Sequence, residues 1–563
     1  MWRYNVDKLL GAIAMSDQPL WHKEAVYQIY PRSFCDSNGD GIGDIPGIIS
    51  KLDYLKSLGV GIIWLSPIYA SPLDDLGYDI SDYYKIHPDY GTMDDFDNLV
   101  KEADKRGLKI VMDLVVNHTS DEHQWFQESM KKDSPYHDYY YWREGKKPNG
   151  KQPPNNWTSM FTGSAWQYVP SVGEWYLHLY SKKQPDLNYH NPKVIEEVEK
   201  ILNFYFDKGV YGFRCDVINQ IYKESLEDGK GHSFSARGIE HYLMKEGNHQ
   251  ILRKLYEDVF SKRDCVVIGE TYAVDFKNGY RFLADHEMDM FFQFELMGVD
   301  QSKGRVFSRK FKTKNFKRIA YEWQKNIPWN ANYLENHDQT RSISRFGDEK
   351  RFWKQSGKAL ALFNLTLRGT PFIYEGEEIG MLNKPMGEPE NSRDVCALYI
   401  NSIAKKMLLP RFWRKRLINR VDRDHARTPM QWDKTTSAGF SSTTSAWIPV
   451  NPNYLEGITV EDENNDPDSI LSFYRKLLSI RRQSIILQEG DFEPLSSADD
   501  VIAFRRNYEG GSMMTLINLS GKEHKLGMKC GKLSGKVILS NYPGSHVFLE
   551  MTLRPYEAIL LQL

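Results

Sequence analysis

Val210-Tyr211-Gly212-Phe213-Arg214-Cys215-Asp216 is a short strand-like run that ends in an acid. Two further runs share that design. Cys265-Val266-Val267-Ile268-Gly269-Glu270 also closes on a carboxylate, and Asn332-Tyr333-Leu334-Glu335-Asn336-His337, the least apolar of the three, leads into Asp338. A continuous apolar run such as the one before Glu270 reads as a buried strand, often of a parallel sheet. An acid at the C-terminal end of such a strand belongs to the face where barrel enzymes gather their catalytic groups. Arg214 and Asp216 lie two residues apart, so their side chains share one face of the strand. The guanidinium there favours the ionised carboxylate. Cys215 points the other way and is assigned to packing.

Outward from these runs, strand and helix signals alternate over about 350 residues. Strand-like runs occur at 26–30, 61–65, 108–113, 210–216, 265–270, 290–294, 332–335 and 371–374. Between them, 45–58 has helical spacing and stops at Gly59, and 95–106 stops at Gly107. Asn191-Pro192 opens a helix as cap and first helical residue, and Gly209 ends it. Eight strands with intervening helices predict an α/β fold, a (β/α)8 TIM barrel. The barrel is expected over 16–116 and 187–483. Residues 117–186 are too long for an ordinary βα loop and are rich in Trp, so they are read as a small inserted domain over the active face. Beyond 484, short alternating strands at 501–505, 513–517, 537–540 and 558–561, with a hairpin turn at Asn507-Tyr508-Glu509-Gly510-Gly511, predict a C-terminal all-β sandwich, 484–563.

The 563 residues carry 73 Lys and Arg against 75 Asp and Glu, a net charge of −2, which argues against a nucleic-acid binder. Aromatic residues make up 13%, and the excess suits sugar rings, which present flat C–H faces. No apolar run of about 18 residues exists, so no membrane span is expected. Residues 1–15 make a poor signal peptide and are read as an extension ahead of a start at Met15. Cys35, Cys215, Cys265, Cys396 and Cys530 are odd in number and scattered, which fits free thiols in a reducing cytoplasm. The stretch 388–423 sets Lys405, Lys406, Arg411, Arg414, Lys415 and Arg416 around Leu408, Leu409, Phe412 and Trp413. A solvated helix beside the barrel is expected there, rather than one lying on a membrane surface.

Seven segments, in order, carry a resemblance. They are Ala25-Val26-Tyr27-Gln28-Ile29-Tyr30-Pro31-Arg32-Ser33-Phe34, Gly77-Tyr78-Asp79, Asp113-Leu114-Val115-Val116-Asn117-His118, Gly212-Phe213-Arg214-Cys215-Asp216-Val217-Ile218-Asn219, Gly269-Glu270-Thr271, Asn336-His337-Asp338-Gln339 and Ala426-Arg427-Thr428-Pro429-Met430-Gln431-Trp432. Together the chain resembles the α-amylase superfamily, glycoside hydrolase family thirteen, and most of all its oligo-1,6-glucosidase and dextran-glucosidase branch. The resemblance implies an exo-acting α-glucosidase working on an oligosaccharide. Asp216 is then the nucleophile, Glu270 the general acid/base and Asp338 the carboxylate that steadies the distorted sugar. It also implies that Asp79, His118, Arg214, His337 and Arg427 line the glucose subsite. Retaining cleavage needs two carboxyl groups about 5 Å apart, one to attack the anomeric carbon and one to protonate the leaving oxygen. Asp113 is expected to support the site from beneath. His118 taken alone would read as a buried structural histidine.

Val217 follows the nucleophile, and in this branch Val there accompanies a preference for α-1,6 bonds. Tyr272 stands where Trp or Pro is expected and bears on the leaving-sugar subsite. Trp166 either forms a pocket wall or belongs to the core of the inserted domain. No catalytic cofactor is expected. Asp36, Asn38, Asp40, the Ile42 carbonyl and Asp44 are spaced like the first positions of a calcium loop, whose closing Glu is replaced by Gly47. An ordinary Gly/Asp turn has the same spacing, and the resemblance implies a structural Ca2+ or Mg2+ there. A monomer is expected. The alternatives are sucrose hydrolysis, sucrose isomerisation or glucosyl transfer on the same fold, or a non-enzymatic transporter-associated heavy chain, which would lack the acids and need an anchor.

Overall fold

A computed structural model describes residues 18–146, 150–233, 235–301, 309–384, 387–526, 535–545 and 551–563. Met15 and Cys530 lie outside the described residues. The barrel strands are β1 (Val26–Ile29), β2 (Ile62–Leu65), β3 (Lys109–Leu114), β4 (Gly212–Cys215), β5 (Val266–Glu270), β6 (Met290–Phe292), β7 (Ala331–Asn332) and β8 (Thr370–Tyr374). All are almost wholly buried, as strands covered on both faces must be. They pair in parallel in the order β6-β5-β4-β3-β2-β1-β8-β7. The seam between β6 and β7 is bridged by side chains: the Tyr333 hydroxyl donates to the Gln293 carbonyl at 2.9 Å, and the Phe292 and Tyr333 rings lie 5.0 Å apart. β7 is only two residues long. The polar run after it, Glu335-Asn336-His337, leaves the ladder and turns into the site.

The helix Pro192–Asp207 forms as its sequence demands. The Asn191 side chain accepts from the Lys193 N–H at 3.1 Å, Pro192 opens the first turn, and a stripe from Val194 to Phe206 packs on the sheet. The single helix expected over 45–58 is instead two, Ile45–Ser50 and Leu52–Leu58, because Lys51 leaves helical geometry with ψ of 5°. Gly59 takes φ of 102° at the end of the second, the left-handed cap that glycine tolerates best.

Within the insertion, the short strands Trp142–Arg143, Glu174–Leu177 and Trp166–Val169 form an antiparallel sheet in that order. The insertion is anchored by a fully buried ion pair, Lys223 Nζ to Asp186 Oδ2 at 2.6 Å, which Asn117 joins from the barrel side. The stretch 388–423 forms a helical hairpin, Val395–Lys406 and Arg411–Val421, with Met407, Leu408, Phe412 and Trp413 exposed near its tip. Among the described residues no helix is long and apolar enough to cross a membrane.

The C-terminal part is an antiparallel sheet of β9 (Asp491–Pro494), β10 (Val501–Tyr508), β11 (Gly511–Asn518), β12 (Lys536–Ser540) and β13 (Ala558–Gln562), ordered β9-β10-β11-β13-β12. The β10–β11 hairpin turns on Glu509 and Gly510, both at positive φ, as a tight two-residue turn requires. Alternation sorts its residues. Val501, Ala503, Leu516, Ile559 and Leu561 form one core with Leu526 and Leu553 of a second, two-stranded ribbon, while Ile502, Phe504, Ile517 and Leu560 join the main core.

Candidate active site

Every barrel strand runs in the same direction, so the acids that follow β4 and β7 and the one that ends β5 arrive at one face. Arg214, near the end of β4, is the hub. It is fully buried, and its Nη1 donates to Asp113 Oδ1 and to Asp216 Oδ1, both at 2.7 Å, while its Nη2 donates to Glu270 Oε2. One guanidinium therefore holds the two expected catalytic carboxyls side by side, with Asp113 beneath. Asp113 in turn accepts from Tyr78 Oη at 3.0 Å and Trp64 Nε1 at 3.2 Å.

Burial pushes the Asp216 carboxyl well above the usual range; Arg214 opposes that, and the charges of Glu270 and Asp113 add to it. Retaining cleavage asks one of two such neighbouring acids to attack and the other to donate a proton.

Asp338 meets the opposite situation. Burial works against its charge, but the guanidiniums of Arg423 and Arg427 oppose it, and the carboxyl is held far below the ordinary range. Arg423 Nη1 donates to Asp338 Oδ1 at 2.8 Å and Arg427 Nη2 to the same oxygen at 3.1 Å. Asp338 is thus an acceptor fixed in its ionised form. His337 stacks on Tyr78 with centroids 5.2 Å apart, and its Nδ1 meets Gln28 Nε2 at 2.8 Å. Burial first, and then the nearby arginines, lower its pKa to about 3, so the ring is neutral.

Arg423 and Asp75 escaped the sequence reading. Arg423 is the last residue of the basic stretch, and only the fold carries it to Asp338. Its Nη2 also reaches Asp75 at 3.4 Å, and Asp394 fixes it through Nε at 2.9 Å and Nη2 at 2.6 Å. Burial raises the Asp75 pKa to about 6 despite Arg423 and Arg427. Gln184 Nε2 donates to Asp75 Oδ2 at 3.2 Å.

Three of the expected site residues are buried and bonded to protein partners. Asp79, assigned to the glucose subsite, spends its carboxylate on Ser71 Oγ at 3.0 Å and on the N–H groups of Asp74 at 2.8 Å and Asp75 at 3.1 Å. It shapes the loop that presents Asp75, and burial raises its pKa to about 7. Trp166 lies in the insertion's own core with Tyr141, Trp157 and Tyr242, its indole donating to Asn155 Oδ1 at 2.7 Å, so it is no pocket wall. His118 is buried, its Nε2 against the Tyr78 carbonyl at 2.9 Å and its Nδ1 against Asn117 Nδ2 at 3.2 Å. Burial lowers its pKa to about 4, which leaves it neutral beside the Tyr180 ring.

Val217, directly after Asp216, sits at φ 38° and ψ 37°. A β-branched residue pays for the left-handed region, on the order of 1–3 kcal/mol. The sharp turn stops β4 just short of Asp216. Tyr272, half-buried after Glu270, is held at its backbone by Asn219.

The 36–44 loop is folded on its own polar groups and on Phe440, Ser441 and Trp447, the Ser441 hydroxyl donating to Asp36 Oδ2 at 2.5 Å. Asp36 Oδ1 accepts from the Asn38 and Gly39 N–H groups at 3.0 and 2.7 Å, Asn38 from Asp40 at 2.9 Å, and Asp40 from Ile42 at 2.8 Å. Asp44 accepts from Gly47 at 2.6 Å, and burial raises its pKa. An all-oxygen set with a buried acid short of positive charge suits a hard cation by donor type. Among the described residues, however, no three His, Cys, Asp or Glu side chains converge on a metal position.

An acid pair on one arginine, facing a third carboxylate locked in its charged form, is equipment for breaking a glycosidic bond. Residues 28–490 match the family described as alpha amylase, catalytic domain, and the chain belongs to that family of glycoside hydrolases. Over 557 residues it is 47% identical to the oligo-1,6-glucosidase of Parageobacillus thermoglucosidasius, covering 96% of this chain and 98% of that one. It superposes on the trehalose-6-phosphate hydrolase of Bacillus licheniformis with a TM-score of 0.91 at 40% identity, covering 97% of this chain and all of the other. A trehalulose synthase of Pseudomonas mesoacidophila superposes at 0.92 with 36% identity, over 97% of this chain and 99% of the other.

Proposed function

We propose that the protein is a retaining, exo-acting α-glucosidase that releases glucose from the non-reducing end of isomalto-oligosaccharides by cleaving α-1,6 bonds. The observation that carries this is the shared guanidinium: Arg214 bonds both Asp216 and Glu270, so one acid meets the anomeric carbon while the other meets the leaving oxygen. Asp216 attacks to form a glucosyl ester as Glu270 passes its proton to the departing sugar oxygen. Glu270 then takes a proton from water, which releases glucose with its original configuration. Asp338, charged throughout, accepts from sugar hydroxyls, and those bonds tighten as the ring flattens. Asp75, Arg423 and Asp394 fill the far side of this cluster, which favours a chain end over the middle of a chain.

The α-1,6 preference rests on Val217 and on the relative from Parageobacillus thermoglucosidasius, whose name is oligo-1,6-glucosidase. A branched apolar residue beside the leaving sugar is worth about 1–3 kcal/mol of discrimination, a preference rather than a barrier. On the scattered cysteines we place the enzyme in a reducing cytoplasm; we further propose that it is a monomer and that a structural Ca2+ or Mg2+ sits in the 36–44 loop. Isomaltose, panose, maltose, sucrose and trehalose, assayed side by side with products resolved, test the reading. Isomaltose is expected to exceed maltose in kcat/KM and to give glucose. A maltose value equal to or above that for isomaltose overturns the specificity, and rearranged sucrose products would make the enzyme an isomerase.

A further inference from the structure

The ladder between the two catalytic strands stops one residue early. β4 and β5 pair from Gly212↔Val266 to Cys215↔Gly269, so Asp216 and Glu270 come next in register with no backbone bond between them. On its other edge β5 is still held: Glu270 is in register with Phe292 of β6, and Thr271 Oγ1 donates to the Phe292 carbonyl at 3.1 Å. On the β4 side the left-handed turn at Val217 takes the chain away. What bridges the gap is a side chain. Asn219 Nδ2 donates to the Tyr272 carbonyl at 2.8 Å, and the Tyr272 N–H donates to Asn219 Oδ1 at 3.2 Å.

A carboxamide carries one donor face and one acceptor, the same pair a neighbouring strand would present. Asn219 is fully buried, and its own carbonyl accepts from the Met244 N–H at 2.8 Å, so the clamp stands on a fixed base. We propose that Asn219 is a positioning residue for the proton-transfer step: its side chain replaces the missing strand pairing and sets the reach of Glu270 towards the leaving oxygen. This rests on the reading of Glu270 as the proton donor.

The expected consequence depends on the leaving group. Expulsion of a sugar alkoxide needs the proton, whereas p-nitrophenolate leaves readily without it. Asn219→Ala is expected to lower kcat/KM for isomaltose about 30-fold or more, within the range of a general acid's contribution. For p-nitrophenyl α-glucoside the expected loss is about threefold or less on the same basis. Asn219→Asp keeps the acceptor for the Tyr272 N–H and loses the donor, and it serves as the second variant if the alanine protein does not fold; it should show the same split. A uniform loss on both substrates, or no loss on either, in a variant that melts like the wild type overturns the proposal. Failure of the wild-type protein to hydrolyse either glucoside would instead strike the assigned function.

Discussion

Arg423 Nη1 lies 2.8 Å from Asp338 Oδ1, and the same guanidinium reaches Asp75 and Asp394. One cation therefore serves three acids that come from the loops after β2 and β7 and from the start of the helical hairpin. Arg423→Ala should leave Asp394 buried without its main partner and Asp338 with Arg427 alone. Truncating one member of such a network costs about 2–5 kcal/mol, so a loss of at least 30-fold in kcat/KM for isomaltose is expected, about 2 kcal/mol. Arg423→Lys keeps the charge but not the forked geometry, and should recover only part of it. Steady-state kinetics on both variants decide; full activity in the alanine variant removes Arg423 from the site.

Asp216→Asn should abolish turnover and yet melt at a higher temperature than the wild type near neutral pH. The native carboxyl is raised above its unfolded value, chiefly by burial. Between the two values the native state binds more protons than the unfolded chain, so stability falls as pH rises through that window. The amide cannot ionise and escapes the loss. Below the unfolded value, about pH 4, both carboxyl states are protonated and the difference should vanish. Thermal melts at pH 3.5 and 7 test this; a variant that melts lower than the wild type at pH 7 contradicts it.

Val217→Thr should shift specificity without loss of fold. The backbone already tolerates a β-branched residue at φ 38°, and Thr keeps that shape while adding a hydroxyl next to the leaving sugar. The ratio of kcat/KM for isomaltose to that for maltose is expected to fall about tenfold, within the 1–3 kcal/mol typical of such pocket changes. An unchanged ratio would show that Val217 does not face the leaving sugar.

Chelation should affect stability rather than chemistry, since the 36–44 loop holds none of the catalytic acids. Exhaustive dialysis against EDTA is expected to lower the melting temperature, and added Ca2+ to restore it, with kcat at 25 °C unchanged. Identical melts with and without EDTA would leave the loop as a turn closed by its own Asx hydrogen bonds and by its bonds to Phe440, Ser441 and Trp447.

The readable parts of this chain were those written locally. Asp216 and Glu270 close runs of strand-forming residues, and the Arg214–Asp216 spacing follows from the pleat alone. Asn191, Pro192 and Gly209 mark a helix end to end. Asp75 and Arg423 carry no such mark. Each sits on a loop whose path is set by contacts hundreds of residues away, and nothing in the neighbours of Arg423 tells a pocket arginine from the solvated cations of the same hairpin. Asp79 carries no local mark of its partners either: this acid of a quoted motif bonds its own loop, while the acid four residues earlier reaches Arg423. Trp166 was undecidable from sequence, because a buried tryptophan and a sugar platform look alike until the neighbouring chain is in place. The seventh strand, expected over 332–335, is only Ala331–Asn332, because the polar run that follows leaves the ladder.

The C-terminal sheet has a consequence for how this chain can be recombined. The helix Trp353–Thr366 is buried along nearly its whole circumference from Ser356 onward, and β11 and β13 supply part of that cover. Thr515 Oγ1 donates to Thr366 Oγ1, and Arg506 Nη1 to the Thr366 carbonyl, each at 3.0 Å. A module attached in this way is no detachable cassette. Cutting the chain near residue 484 would strip the coat from an oily cylinder, so shuffling between homologues should succeed only when helix and sheet travel together.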